Sequence, residues 1–153
     1  MMTPGGILRI EEKKGSKRHL LVDEHGIPLS IVVTGANKHD TTQFAAVLWH
    51  KVSNKKDARQ NLCADTGYTG KKNKRIAKVN NYKSFIKQRG KNENKRANKI
   101  ISSKRWVVEA CHSWFNRFRK VLVRYEKKSS NYLALCMLAA AIITLNKIGI
   151  IYG

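Results

Sequence analysis

The chain has 153 residues, enough for one hydrophobic core, and its 31 Lys and Arg against 10 Asp and Glu give a formal net charge of +21. So strong a positive field favours a polyanionic partner, with nucleic acid first and an anionic membrane surface as the rival. The three cysteines, Cys63, Cys111 and Cys136, are odd in number and widely spaced, which argues against a disulfide framework and predicts reduced thiols in a cytoplasmic protein.

The first third of the chain predicts strands and one helix. Residues 7–12 (ILRIEE) could be a strand or an approach to the domain, while RHLLVD and PLSIVVTG flank the Gly26 turn as a hairpin. Asp40 or Thr41 is then expected to cap a helix with apolar positions at Phe44, Val47 and Leu48.

The middle of the chain alternates strands and helices. The run NLCAD (61–65) predicts a strand that ends in Asp65, residues 71–79 a basic helix, residues 82–87 a strand, and residues 89–105 a polar loop. The whole order predicts one mixed α/β domain. Asp65 could be a ligand at a strand end or a turn residue beside Gly67.

Residues 104–128 predict one long amphipathic helix. Its apolar stripe is formed by Val107, Cys111, Trp114, Phe118, Val121, Leu122 and Tyr125. On another face Glu109 lies one turn from Arg105 and one from His112, so it could be half of a surface ion pair. Together with Asp65 it could instead hold a divalent cation beside a phosphodiester, because Mg²⁺ prefers carboxylate oxygens.

Residues 132–145 (YLALCMLAAAIITL) are apolar. At 14 residues this run is shorter than the about 20 that a membrane span needs. It predicts a buried helix, and a membrane-associated protein built on residues 132–151 is the less favoured alternative.

Three blocks in one order resemble a known family. They are GSKRHLLVDEHGIPLSIVVTGANKHD (15–40), LCADTGYTGK (62–71) and RWVVEACHSWFNRFRKVLVRYEKKSSNYLAL (105–135). They are similar to bacterial insertion-sequence transposases of the Asp-Asp-Glu class, in the large group numbered four and five. The resemblance covers residues 15–153 as part of a catalytic domain and leaves 1–14 as a non-matching segment.

The resemblance implies an RNase H-like α/β fold and metal-dependent cutting and joining of DNA at the ends of an insertion sequence. It implies Mg²⁺, which Mn²⁺ can replace, with Asp65 as the second catalytic carboxylate and Glu109 as the third. The side chains expected to contact DNA are Lys71, Lys72, Lys104, Arg105, His112 and Arg117. Two departures stand near Glu109: Ser102 where the related motif has tyrosine, and Asn116 where it has lysine.

The first catalytic Asp of the family lies on the first strand, and no Asp precedes Asp23 in this chain. The sheet is therefore expected to lack or substitute its first central strand. Residues 7–12 are the candidate substitute, with Glu11 or Glu12 as a replacement ligand.

The first hypothesis is that the chain is the C-terminal part of a transposase catalytic domain, either a decayed fragment or the second half of a split reading frame. On this hypothesis, the chain alone binds DNA and does not cut it. Its expected partners are double-stranded DNA, an upstream half of the enzyme and a second copy in a homodimer, in the cytoplasm at the nucleoid and not at a membrane. The alternative is a non-catalytic basic DNA-binding protein that retains the transposase scaffold.

Overall fold

The computed structural model describes residues 5–10, 15–52, 59–86 and 95–152. Within them, five strands form one mixed sheet in the spatial order β3-β2-β1-β4-β5. The strands are β1 Gly5–Ile10, β2 Ser16–Val22, β3 Pro28–Gly35, β4 Gln60–Ala64 and β5 Tyr82–Ile86. The helices are α1 Asp40–Trp49, α2 Lys71–Val79, α3 Lys95–Asn116, α4 Arg119–Leu122 and α5 Ser129–Tyr152.

The predicted hairpin is confirmed, since β2 and β3 pair antiparallel from Ser16 with Gly35 onward. Side chains alternate along β2, so the strand serves two cores. Leu21 packs with α1 and with Tyr68, whereas Leu20 and Val22 pack with α3 and α5. The sheet is therefore a central layer with helices on both faces.

The strand β1 substitutes the first central strand. It pairs antiparallel with β2 and parallel with β4, with Gly6 opposite Cys63 and Ile7 opposite Ala64. Without it, β2 and β4 would each present an unpaired backbone edge inside the sheet. Glu11 and Glu12, the replacement ligands considered above, lie outside the described residues.

The helix α1 starts where expected, but its cap differs. Asp40 is the first helical residue and His39 is the N-cap, which makes no side-chain capping bond. Asp40 is instead buried, with 7% of its surface exposed. The expectation that Asp40 or Thr41 caps α1 was wrong, because the Asp40 carboxylate turns inward to a buried lysine.

The long helix of residues 104–128 and the loop of residues 89–105 both need correction. The helix α3 begins at Lys95, inside the predicted loop, and ends at Asn116. Hydrogen bonds from Arg117 to Trp114 and from Phe118 to Phe115 tighten the chain before α4. Val121 remains buried after this break, whereas Tyr125 is 74% exposed.

The last helix is longer and less buried than expected. The helix α5 has 24 residues, and the apolar run from residue 132 to 145 is only its middle. One face packs in the core through Tyr132, Cys136, Ala139 and Ile143, and the other face is exposed. By length and composition alone α5 could cross a membrane, a test that core helices also pass.

The three cysteines are free and buried. Burial raises the pKa of the Cys111 thiol to about 12 and that of Cys63 to about 11. These thiols are core residues that stay protonated at neutral pH.

Candidate metal and DNA site

Asp65 lies at the carboxyl end of β4, directly after the buried residues Leu62, Cys63 and Ala64. It is also the N-cap of a single 3₁₀ turn, Thr66–Tyr68. Its Oδ1 accepts hydrogen bonds from the Thr66 backbone N–H at 2.7 Å and from Thr66 Oγ1 at 3.3 Å. The two interpretations of Asp65 are compatible, because the bonds that make it a turn residue also fix its carboxylate at the strand end.

Two sets of buried polar contacts hold this 3₁₀ turn against the sheet, and the first set includes Tyr68. The Tyr68 hydroxyl lies 3.0 Å from Nδ1 of His19, and Nε2 of His19 lies 3.0 Å from Thr34 Oγ1. Both His19 and Tyr68 are essentially without exposed surface. Buried polar groups that satisfy one another specify a single arrangement, so the turn after Asp65 has little freedom.

The second set of contacts contains a buried ion pair. Lys17 Nζ lies 3.8 Å from Asp40 Oδ1 and donates to the Lys38 carbonyl at 3.0 Å. Asp40 in turn abuts the turn, since a Cβ built on Gly67 would lie 3.0 Å from Asp40 Oδ2. Gly67 is thus the residue that lets the turn pass close to this carboxylate.

Glu109 lies on α3, which packs across β1, β2 and β4. Its neighbours Val107 and Val108 are buried, and Glu109 itself is 52% exposed. Arg105 Nε donates to Glu109 Oε1 at 2.8 Å, and the arginine is equally exposed. An exposed pair of this kind contributes only about 0.3–0.5 kcal/mol, so the carboxylate can exchange its partner at small cost.

The two carboxylates fit part of a site for a divalent ion. Carboxylate oxygens suit Mg²⁺, and both side chains are accessible on elements that contact each other. Within the described ranges, no group of three His, Cys, Asp or Glu side chains is arranged to hold a metal. Asp65 and Glu109 therefore have the oxygen donors that a divalent ion prefers, but no third such side chain in the described ranges completes a set with them.

The register of the sheet shows which residue of β1 stands level with Asp65. Ile7 pairs with Ala64, so one residue further along the two parallel strands stand Leu8 and Asp65. The sequence of β1, GGILRI, contains no acid. The strand β1 therefore completes the backbone pairing of the sheet and places no carboxylate beside Asp65.

The side chains expected to contact DNA have different positions. Lys71 and Lys72 are exposed in the first turn of α2, where the N-cap Gly70 offers no side chain. Lys104 lies on α3, near enough to Cys63 to lower the pKa of that thiol slightly against the effect of burial. Arg105 is exposed near Glu109.

Arg117 and His112, the two remaining side chains expected to contact DNA, differ in their exposure to solvent. Arg117 is exposed at the end of α3, beside a groove of about 260 Å³ that Trp114 and Lys147 also line. His112 has no exposed surface. The expectation that His112 contacts DNA is therefore corrected, because a phosphate cannot reach a ring inside the core.

Sequence reasoning missed the residues that support Asp65. Lys17 and His19 alternate with Arg18 and Leu20, which placed two polar side chains on a buried face of β2. Polar residues at inward positions of a strand are a signal for a buried network.

The fold can be compared with those of solved structures. The catalytic core domain of BIV integrase superposes with a TM-score of 0.60 at 11% sequence identity, and the match covers 100% of each chain. The chain thus has an RNase H-like fold.

Sequence similarity identifies the family. Residues 10–144 match the transposase DDE domain, and the chain belongs to that family. It is 27% identical over 144 residues to a putative transposase for insertion sequence element IS402 from Burkholderia cepacia. This match covers 88% of the chain and 64% of that relative, so the chain spans less than two thirds of its length. The resemblance to insertion-sequence transposases is confirmed.

Proposed function

We propose that the chain serves DNA transposition as part of a catalytic domain, in which Asp65 and Glu109 are the second and third carboxylates of a divalent-ion site. The observation that carries the proposal is their position: Asp65 directly follows β4, which pairs with β1, and the helix α3 that carries Glu109 packs on both of these strands. In RNase H-like sheets, as in other α/β sheets, ligands gather at the carboxyl ends of parallel strands.

Mg²⁺, or Mn²⁺ in its place, would supply activation of the attacking oxygen and stabilisation of the leaving oxygen of a phosphodiester. The role of the protein is to hold the ligands. The hydrogen bonds from Thr66 orient Asp65. The buried polar contacts of His19 and Lys17 keep the turn in place. Arg105, paired with Glu109 at 2.8 Å, is positioned to exchange the carboxylate for a phosphate when DNA is bound.

The first two lysines of α2 support DNA binding, because their positions are unfavourable for the helix unless an anion is bound there. Cations in the first turn of a helix oppose its dipole, and α2 begins with Lys71 and Lys72 after an N-cap without a side-chain bond. A phosphate at this position would reverse the balance, since backbone N–H groups and both ammonium groups would point to one anion.

We expect the chain alone to bind DNA and not to cut it. The strand β1 as described carries no acid, so the proposed site would hold two carboxylates where the resemblance implies three. An upstream half of the transposase would be the source of the third.

The test compares two variants that change the net charge equally. Glu109→Gln and Glu24→Gln each remove one negative charge from a chain of +21, so both raise general DNA affinity to the same small extent. Only Glu109→Gln should abolish the Mg²⁺-dependent preference for duplex DNA with an exposed end over closed circular DNA, measured by fluorescence anisotropy at constant ionic strength.

The same measurement separates the alternative function. A basic DNA-binding protein that retains the transposase scaffold would bind ended and closed DNA alike, with or without Mg²⁺ and with or without Glu109. Efficient Mg²⁺-dependent nicking by residues 1–153 that is lost on Asp65→Asn would contradict the expected inactivity and support the metal site.

A further inference from the structure

The outer face of α5 carries a large apolar surface. Opposite its buried face, the following side chains are 38–69% exposed: Met137, Leu138, Ile142, Leu145 and Ile148. Single exposed apolar residues are ordinary, but five on one helix form a contiguous patch. Such a patch indicates a contact that the described residues do not make.

The patch has a seam with a regular period. Ala134, Leu138, Ala141, Leu145 and Ile148 follow one another in alternating steps of four and three residues, and all five are exposed. This alternation is the spacing by which one helix packs along another in a coiled coil. We call these five residues the α5 seam.

The charges around the seam distinguish its partners. Within α5 the only charged side chain is Lys147, whose Nζ lies 4.1 Å over the Trp114 ring of the same domain. Helices that lie on a membrane surface typically carry Lys and Arg on their polar face. A spanning helix would have to leave the core that its Cys136 face helps to form.

We propose that the α5 seam binds the α5 seam of a second copy of this chain, antiparallel about a two-fold axis at Ala141. With Ala141 facing its own counterpart, the small Ala134 lies opposite the large Ile148, and Met137 lies opposite Leu145. Alternation of small and large side chains lets the two surfaces interdigitate, and a two-fold axis requires such self-complementarity.

The size of the surface fits a weak dimer. The exposed apolar side chains provide on the order of 500 Å² per copy, so a pair would bury on the order of 1,000 Å², the lower limit for a specific interface. Two copies of charge +21 also repel each other. Because salt shortens the range of that repulsion while the seam itself is uncharged, the dimer should tighten as salt is added.

Sedimentation equilibrium without DNA tests the interface. The wild-type chain should dimerise at micromolar concentration, more tightly in about 0.5 M than in about 0.1 M NaCl. Leu138→Glu with Leu145→Glu should be monomeric and as folded by circular dichroism as wild type, because both positions are more than half exposed. Leu122→Glu, an exposed leucine of α4, is the control and should dimerise like wild type.

Cysteine cross-linking tests the orientation. Under an added oxidant, Ala141→Cys should form a disulfide-linked dimer, whereas Ala134→Cys should not, since the two copies of the substituted residue lie about 20 Å apart along the helix, on opposite sides of the axis. Cross-linking of Ala134→Cys overturns the antiparallel arrangement. A monomer at every salt concentration, or wild type that binds phosphatidylcholine vesicles through the same leucines, overturns the dimer.

Discussion

At the scale of the residue, Asp65 and Asp40 border the same short turn and have opposite tasks. Asp65 keeps one edge toward solvent at the end of β4, while Asp40 is buried and pairs with Lys17. Sequence reasoning identified Asp65 because it follows an apolar run and precedes a glycine-rich turn. It took Asp40 for a helix cap, since a sequence cannot show that the carboxylate turns inward to a strand more than twenty positions earlier.

Gly67 should be the most sensitive residue of the turn. A methyl group at Gly67 would approach Asp40 Oδ2 to 3.0 Å, so either this carboxylate, which is paired with Lys17, or the turn itself has to give way. Gly67→Ala should lower the free energy of unfolding by about 1 kcal/mol or more and displace Asp65. Urea unfolding measures the first effect.

Gly149→Ala is the control for this substitution. A Cβ at Gly149, within α5, meets no atom within 4 Å, and alanine favours a helix by about 0.5–1 kcal/mol over glycine. Its stability should rise. If both alanine variants behaved alike, Asp40 would not be the obstacle at Gly67.

At the scale of the element, the sequence correctly predicted the strands and helices that have a clear periodic pattern. The hairpin of β2 and β3, the helix of residues 71–79 and the strand that starts at Tyr82 all occur as expected, because alternation and turn residues agree there. The start of α3 was missed because Lys and Asn dominate residues 91–99 and no apolar stripe marks them.

The break after Asn116 was missed for another reason. Phe115 is buried in α3 and Val121 is buried in α4, so the helical spacing of apolar residues continues across the interruption. A periodic pattern records which residues reach the core. It does not record that two separate helices deliver them.

Replacing the first two lysines of α2 should move stability and DNA binding in opposite directions. Lys71→Gln with Lys72→Gln relieves the repulsion between these cations and the helix dipole, so stability should rise by a few tenths of a kcal/mol. Affinity for duplex DNA should fall, with a smaller salt slope. Thermal unfolding and anisotropy titrations measure the two effects.

Lys78→Gln provides the comparison within the same helix. Lys78 lies in the last turn of α2, where a cation is favourable, so its removal should lower stability slightly. The expected loss of DNA affinity is smaller than for the first-turn pair. Equal losses of affinity would mean that α2 contributes general charge and no phosphate site at its start.

An acid on β1 should complete the proposed metal site. Leu8 stands one register step beyond the pair of Ile7 with Ala64, level with Asp65. Leu8→Asp should therefore raise Mn²⁺ affinity, measured by electron paramagnetic resonance, at least ten-fold over Leu8→Asn, which matches it in size without the charge. A folded Leu8→Asp protein with the Mn²⁺ affinity of Leu8→Asn would remove β1 from the proposed site.

At the scale of the whole molecule, net charge predicted the class of partner and could not predict the surfaces. The value of +21 is a property of composition, and family membership agrees with the nucleic-acid interpretation that it favoured. The exposed side of α5 was predicted to be buried, because an apolar run looks the same in a core and at an interface.

Salt should act on the two associations of the molecule in opposite senses. Binding to duplex DNA releases counterions, so affinity should fall by about a thousand-fold or more between about 50 and 200 mM salt if six or more phosphates are neutralised. The α5 dimer should strengthen over the same range. Parallel titrations by anisotropy and by sedimentation check this, and DNA affinity that is indifferent to salt would contradict a contact built on phosphates.

The strand β1 separates inheritance of the fold from inheritance of the activity. A central position in the sheet demands backbone hydrogen bonds, which almost any sequence can offer, whereas catalysis demands one particular side chain. Under the proposed function, a gene in which GGILRI takes the place of this strand keeps a foldable product without the first acid. Selection would then act on DNA binding alone, and substitutions at Asp65 and Glu109 would be tolerated before substitutions at the buried Leu20 or Phe44.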